Sequence, residues 1–384
     1  MDFLPHSFTI FTASGLWRPL TWSSGLKRHL YNCYTFIILV VIYLFGFMEF
    51  VEAMHNFGNI EEMVSASFML LTTGNVFCKA VNVVNRREDI INIFQMLNDN
   101  VCQSQSQEED RIQAKINNRI RNNATWYFCI VQCAVVMITI SSVIQNIPNR
   151  TLPFKAWIPL NYSSNNVYWY IYYYQVIAHA AVAIISIAYD TMVPGIMLLT
   201  GAQLKIFKFR CENMSAKVER EQRKFNLSKV ALENKILKES VCHHETIVQF
   251  AMSFNDIFST VIFVQYTVSS LVICVSVYRL AGMALNDSEF PFALFYLLCM
   301  INQIFCFCWY GNEVIIESLG IGEAIYKMDW SSLHLRTQKE LLLIMNCSMT
   351  PIVFTSGKIL VLSLESFTAI MKLSYTAFNV LQQK

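Results

Sequence analysis

Charge is what this chain has least of: 15% of its 384 residues are Asp, Glu, Lys or Arg, while 54% are apolar. Soluble domains carry about a quarter charged residues, so the composition indicates an integral membrane protein, and the chain's long uncharged windows make the expected fold all-α. A formal net charge of only +2 gives no reason to expect a nucleic-acid partner. A cleavable leader is not visible either, because Pro5, Arg18, Pro19, Lys27 and Arg28 interrupt the first thirty residues and the long apolar run begins beyond them. That run is expected to be the first membrane anchor. Catalytic patterns are missing as well. There is no Gly-x-Ser-x-Gly, P-loop or Gly-x-Gly-x-x-Gly, and His244-Glu245 is followed by Val248 where a zinc protease needs its second histidine. Cys242-His243-His244 lacks the remaining ligands of a tetrahedral site. No enzyme, metal or cofactor is expected. Of the twelve cysteines, most sit in apolar runs, where a thiol behaves as a small apolar side chain rather than as half of a disulfide.

Long uncharged windows are abundant, at residues 30–48, 122–149, 156–189, 257–278 and 290–312. Each is long enough to cross ~30 Å of hydrocarbon as a helix. A sixth window is broken only by Lys79, near enough to its end to snorkel, and a seventh lies near the C-terminus. The expectation is one domain over residues 1–384 with membrane helices near 30–51, 63–84, 124–147, 167–203, 256–279, 290–314 and 357–381. Basic residues divide unequally between the two sets of loops, twenty-two against three. Positive loops stay inside, so the N-terminus is expected in the cytoplasm and the C-terminus outside.

Residues 205–250 mix ten basic residues with Phe209, Phe225, Val230, Ile236, Leu237 and Val241, which reads as helix extending the fourth and fifth spans. A second such helix, over residues 331–349, stops before Pro351. On the fourth span Tyr170, Tyr173, Tyr174 and Ile177 recur at helical spacing, as do Met137, Ser141 and Ile144 on the third. These faces, with Ser67, Phe68 and Leu71 on the second span, Tyr266 and Ile273 on the fifth and Phe295 and Tyr296 on the sixth, are expected to enclose an apolar cavity in the outer half. His179 and Asp190 share a face of the fourth span. His179 is read as a satisfied interior residue and Asp190 as lying at the cytoplasmic boundary, hydrogen-bonded within the helical anchor, with Pro194-Gly195 kinking or loosening the helix shortly afterwards.

The last sixty residues are the most informative. Lys358, Glu365 and Lys372 repeat every seven positions, and Thr376, Asn379 and Gln383 continue that polar stripe. Such groups cost at least ~2.5 kcal/mol each at the centre of a lipid-facing helix, so they are expected to face a bundle interior or a water-filled path. In the same stretch Tyr326, Trp330, Lys339-Glu340-Leu341-Leu342-Leu343, Pro351, Thr355-Ser356-Gly357, Leu364, Phe367, Ile370, Lys372 and Ser374-Tyr375 resemble the C-terminal signature of insect odorant receptors. Related gustatory receptors end in Thr-Tyr followed by Gln-Phe, where this chain has Ser374-Tyr375 and Gln382-Gln383. The resemblance implies a receptor for small volatile odorants, in the plasma membrane of olfactory neuron dendrites, in contact with lipid. It implies assembly with the family's co-receptor into a heterotetrameric, non-selective cation channel. The long insertion that marks the co-receptor is missing, so the chain is expected to be a ligand-tuning subunit. Anchored on Tyr375, the resemblance carries the pore constriction to Phe378, with Gln382 one turn further out. Periodicity instead directs Glu365, Lys372, Thr376 and Asn379 at the axis. A G-protein-coupled receptor needs the opposite topology, and a membrane transporter or enzyme has no supporting motif.

Overall fold

Peptide groups in hydrocarbon must satisfy their hydrogen bonds internally, and each uncharged window is accordingly helical. The computed structural model describes residues 3–22, 24–56, 60–160, 162–226, 228–284 and 290–382, with the side chains of 60–68, 292, 377 and 380–382 outside that description. Within it the helices are α1 (Pro5–Ala13), α2 (Leu26–His55), α3 (Ile60–Asn85), α4 (Arg87–Met96), α5 (Gln107–Asn149), α6 (Asn165–Glu212), α7 (Met214–Phe225), α8 (Lys229–Gly282), α9 (Phe290–Lys327), α10 (Leu335–Ser348) and α11 (Leu364–Gln382). By length and composition, α2, α5, α6, α8 and α9 from Ala293 onward are able to cross a membrane. Helices α3 and α11 stand where the second and seventh spans are expected.

The apolar pattern decides which helix sits where. Residues 187–204 of α6 are all buried, as befits a helix apolar on every side, and α6 is the axis of the bundle. Helices α2 and α5 instead turn large apolar side chains outward, among them Phe36, Ile37, Trp126 and Ile140, a surface suited to lipid. Pro194 does not interrupt α6. Gly195 leaves room for α1, since a Cβ there would stand 2.7 Å from a methyl of Leu4, and Ser7 meets Thr191 at 2.9 Å between their hydroxyls. The N-terminal helix is thus seated against the middle of the fourth span.

At the basic end, α6 and α8 run past the bundle and pack with α7, α10 and the end of α9. Ion pairs join the elements there: Arg119 to Glu313 at 2.7 Å, Lys205 to Glu313 at 3.0 Å, and Lys208 to Glu317. Deeper, Arg210 holds Glu109 at 2.8 Å and donates to Nδ1 of His243 at 3.3 Å. With Nδ1 accepting, Nε2 carries the proton and donates to Gln203 at 2.9 Å. Burial first, then Arg210 and His244, push the His243 imidazole down to about 3.

One boundary differs from expectation. Helix α11 begins at Leu364, not near residue 357, because a short hairpin of β1 (Thr355–Ser356) and β2 (Leu360–Val361) precedes it. Gly357 and Lys358 both take positive φ, at 62° and 60°, which ends any helix. Lys358 therefore leaves the polar stripe. The hairpin is clamped by α8, where Asn255 accepts from Thr355 N–H at 2.8 Å and donates to Val353 C=O at 2.9 Å. Ser259 takes the N–H groups of Gly357 and Lys358 at 2.9 and 3.0 Å.

Candidate ligand-binding site

The site is built upward from one carboxylate. Asp190 on α6 accepts from Lys79 of α3 at 2.7 Å, Tyr127 of α5 at 3.1 Å, Ser186 at 2.8 Å, Gln265 of α8 at 3.3 Å and Gln303 of α9. Lys79 is fully buried, so it does not snorkel as its position near a helix end suggests; it neutralises Asp190 in the core. A buried charge persists only when paired and hydrogen-bonded, and donors from four other helices meet that condition.

Tyr127, Ser186 and Gln303 also line a chamber of about 100 Å³. Its walls are apolar, with Val131, Ala134, Val182, Val268 and Met300. Thr72 and Tyr296, whose hydroxyls are 2.8 Å apart, line it as well. Tyr296 and Ile138 also border a larger vestibule of about 340 Å³, lined further by Ser141, Gln145, Asn146, Phe154, Lys155 and Ser276. The two spaces share that wall. Phe154 and His179 stand on either side of a second partition, Phe154 lining the vestibule and His179 the inner chamber, with their rings stacked 4.5 Å apart. Phe154 belongs to the segment after α5, and it is held by both polar atoms of the Gln175 amide, which receives its N–H at 3.2 Å and gives to its C=O at 3.3 Å. A loop tucked into the helices thus roofs the cavity.

The expected lining residues separate into groups. Ser141 and Tyr296 stand in the cavity wall. Leu71, Met137 and Phe295 are half-buried but are not among the residues lining either space, and Tyr174 reaches across to α2, giving its hydroxyl to Val41 C=O at 3.1 Å. Tyr266 and Ile273 are packed in the core, the Tyr266 hydroxyl 2.6 Å from Cys308 Sγ. Ile144, Tyr170, Tyr173 and Ile177, expected in the cavity wall, face outward instead, with Tyr170 77% exposed. The buried face of α6 carries Tyr168, Tyr172, Gln175 and Ala178 instead. Helical spacing gave the period of these helices but not the phase, because both faces of α6 are aromatic. The side chains of Ser67, Phe68 and Gln382 lie outside the described residues, as does Gln383 entirely.

Sequence reasoning missed Asn75, Tyr127, Ala134 and Gln303 as wall residues. A signal existed for one pair: Lys79 and Asp190 are opposite charges, each inside an otherwise uncharged stretch.

On α11, Ile370 and Ser374 are buried while Glu365, Lys372 and Thr376 are exposed and Tyr375 is 65% exposed. Phe378 and Asn379 are half-buried. A whole face of this helix, carrying both the polar stripe and Tyr375, is left unpacked by the chain's own helices.

Comparison with known proteins agrees with this architecture. Odorant receptor 46a, isoform A, of Drosophila melanogaster is 26% identical over 352 residues, covering 91% of this chain and 90% of that protein. Odorant receptor 10 of Aedes albopictus is 22% identical over 96% of this chain and 95% of its own length. The fold is shared with the insect olfactory receptor OR5 from Machilis hrabei, solved in complex with eugenol, at a TM-score of 0.86 and 15% identity over 100% of this chain and 98% of that one. The model of the family described as 7tm Odorant receptor matches residues 59–375. This multi-pass membrane chain therefore belongs to the insect odorant receptor family.

Proposed function

We propose that the chain is a ligand-tuning odorant receptor subunit that binds small volatile organic molecules in the two-chambered cavity and, with a co-receptor, opens a non-selective cation channel. The observation that carries this reading is the cavity itself. Its vestibule of about 340 Å³ falls within the range of small-molecule sites, and the adjoining apolar chamber receives one end of a ligand. A solved relative of the same fold holds eugenol. The basic end faces the cytoplasm, as the positive-inside rule requires, and the roofed cavity then lies in the outer half. The assembly is a heterotetramer in the dendritic plasma membrane of olfactory neurons. The chain performs no catalysis and needs no cofactor.

Gating follows from population shift: a ligand opens the channel only to the extent that it binds the open arrangement more tightly than the closed one. The unpacked face of α11 supplies the surface that neighbouring subunits and the pore require. Phe378 forms the constriction, flanked by Tyr375 and Gln382, since closing a pore to water requires apolar side chains.

The test is current recorded from cells expressing this chain alone and with the co-receptor, with G-protein signalling blocked and an odorant panel applied. Odorant-evoked cation current is expected only from the pair. In that assembly Phe378→Ala should raise leak or alter cation permeability, and Asn379→Ala should leave permeation nearly unchanged. The reverse pattern at matched surface expression would show that the polar stripe lines the pore.

A further inference from the structure

We infer that the inner chamber selects ligands bearing a hydroxyl group, with the amide oxygens of Gln303 and Asn75 as its acceptors. This rests on the cavity reading above and adds the chemical class of what the cavity takes. The orientation of a glutamine amide is ordinarily ambiguous, but here Asp190 settles it. An ionised carboxylate only accepts, so Gln303 must present its NH₂ to Asp190, and Oε1 is the atom left over. Among the described residues Gln303 Oε1 meets no donor, and neither does Oδ1 of Asn75, which lines the same chamber from α3. Both residues are more than nine-tenths buried, at 5% and 4% exposure.

A buried acceptor without a donor costs about 1–3 kcal/mol, which sets a preference for what fills the space. Water occupies ~30 Å³ per molecule in the liquid, so the chamber of about 100 Å³ holds a few waters when no ligand is bound. An alcohol or phenol replaces them and supplies a donor. An ether, an ester or a hydrocarbon of equal size displaces the water and leaves the acceptors bare. The hydroxyls of Thr72 and Tyr296, which line the same chamber, hydrogen-bond each other. Of the other polar groups lining the chamber, Tyr127 and Ser186 give their hydroxyl protons to Asp190, and His179 adds an imidazole to the wall.

Isomeric probes separate shape from hydrogen bonding: hexanol against methyl pentyl ether, and para-cresol against anisole, applied to cells expressing this chain with the co-receptor. The alcohol or phenol should activate at about ten-fold lower concentration than its ether isomer, as one buried hydrogen bond predicts. The one hydroxyl proton serves one acceptor at a time, so at matched surface expression at least one of Gln303→Met and Asn75→Leu should shrink that ratio toward parity, chiefly by weakening the response to the hydroxyl compound. Two variants are used because Gln303 also donates to Asp190. Parity between the isomers in the unsubstituted chain, or a ratio that survives both substitutions, overturns the inference while leaving the cavity reading intact. A third variant, Ala134→Phe, fills the chamber. If it leaves responses to all four compounds unchanged, the ligand does not enter the chamber, and the cavity reading fails together with the inference.

Discussion

Lys79 and Asp190 illustrate how much one pair of residues determines. Their partners come from five helices, so the pair fixes how α3, α5, α6, α8 and α9 are rotated relative to one another. Removing one charge strands the other, a loss that typically costs 3–5 kcal/mol, whereas replacing both is often tolerated. Lys79→Met alone should therefore abolish most surface expression, and Lys79→Met with Asp190→Asn should restore a large part of it. If the double variant expresses no better than the single one, the two side chains are not coupled. From the sequence both residues stood out, but the link between them did not. Burial and snorkelling predict the same helix-end position for a lysine, and only tertiary contact tells them apart. The orientation of Gln303 was likewise beyond reach, because it depends on a carboxylate 113 positions away.

Elements were more legible than residues. The uncharged windows located the long helices, and the mixed apolar and basic composition of residues 205–250 anticipated that α6 and α8 continue past the bundle. The start of α11 was misjudged because Ile359, Leu360 and Val361 look like the first turn of a membrane helix. Leu360 and Val361 pair as strand instead, in the register Thr355 to Val361 and Ser356 to Leu360, and Ile359 belongs to the turn that starts at Gly357. There a Cβ would stand 2.8 Å from the Phe263 ring, and the positive φ already favours glycine. Irregular backbone near hydrocarbon is tolerated only where protein groups satisfy it, and Asn255 serves that purpose with one donor and one acceptor. Asn255→Leu should unpair both backbone groups and lower thermal stability by about 2–4 kcal/mol. Asn255→Asp keeps the acceptor and should lose roughly half as much. The order of the two variants in a melting assay of detergent-solubilised protein checks the assignment; equal losses would contradict it.

For the whole molecule, the basic end carries a pH dependence whose sign can be worked out. His243 titrates at about 3 in the folded chain against ~6.5 when unfolded, so between those values the unfolded state binds more protons. Stability then rises with pH across that window and falls on acidification. By pH 5 the loss from this one group is on the order of 2 kcal/mol. The melting temperature should drop between pH 7 and pH 5, and His243→Gln should reduce that drop. An unchanged pH profile in the variant would place the sensitivity elsewhere.

The seating of α1 has a consequence for how the chain is made. Ser7 finds Thr191 only after 184 further residues have been synthesised, which at 5–20 residues per second takes about 10–40 s. During that time α1, with Phe8 and Phe11 buried in the finished protein, has no α6 to pack against. A segment made early is thus placed late. Its docking waits on the fourth span, and a cell able to shelter a short apolar helix for that interval should yield more folded receptor than one that cannot.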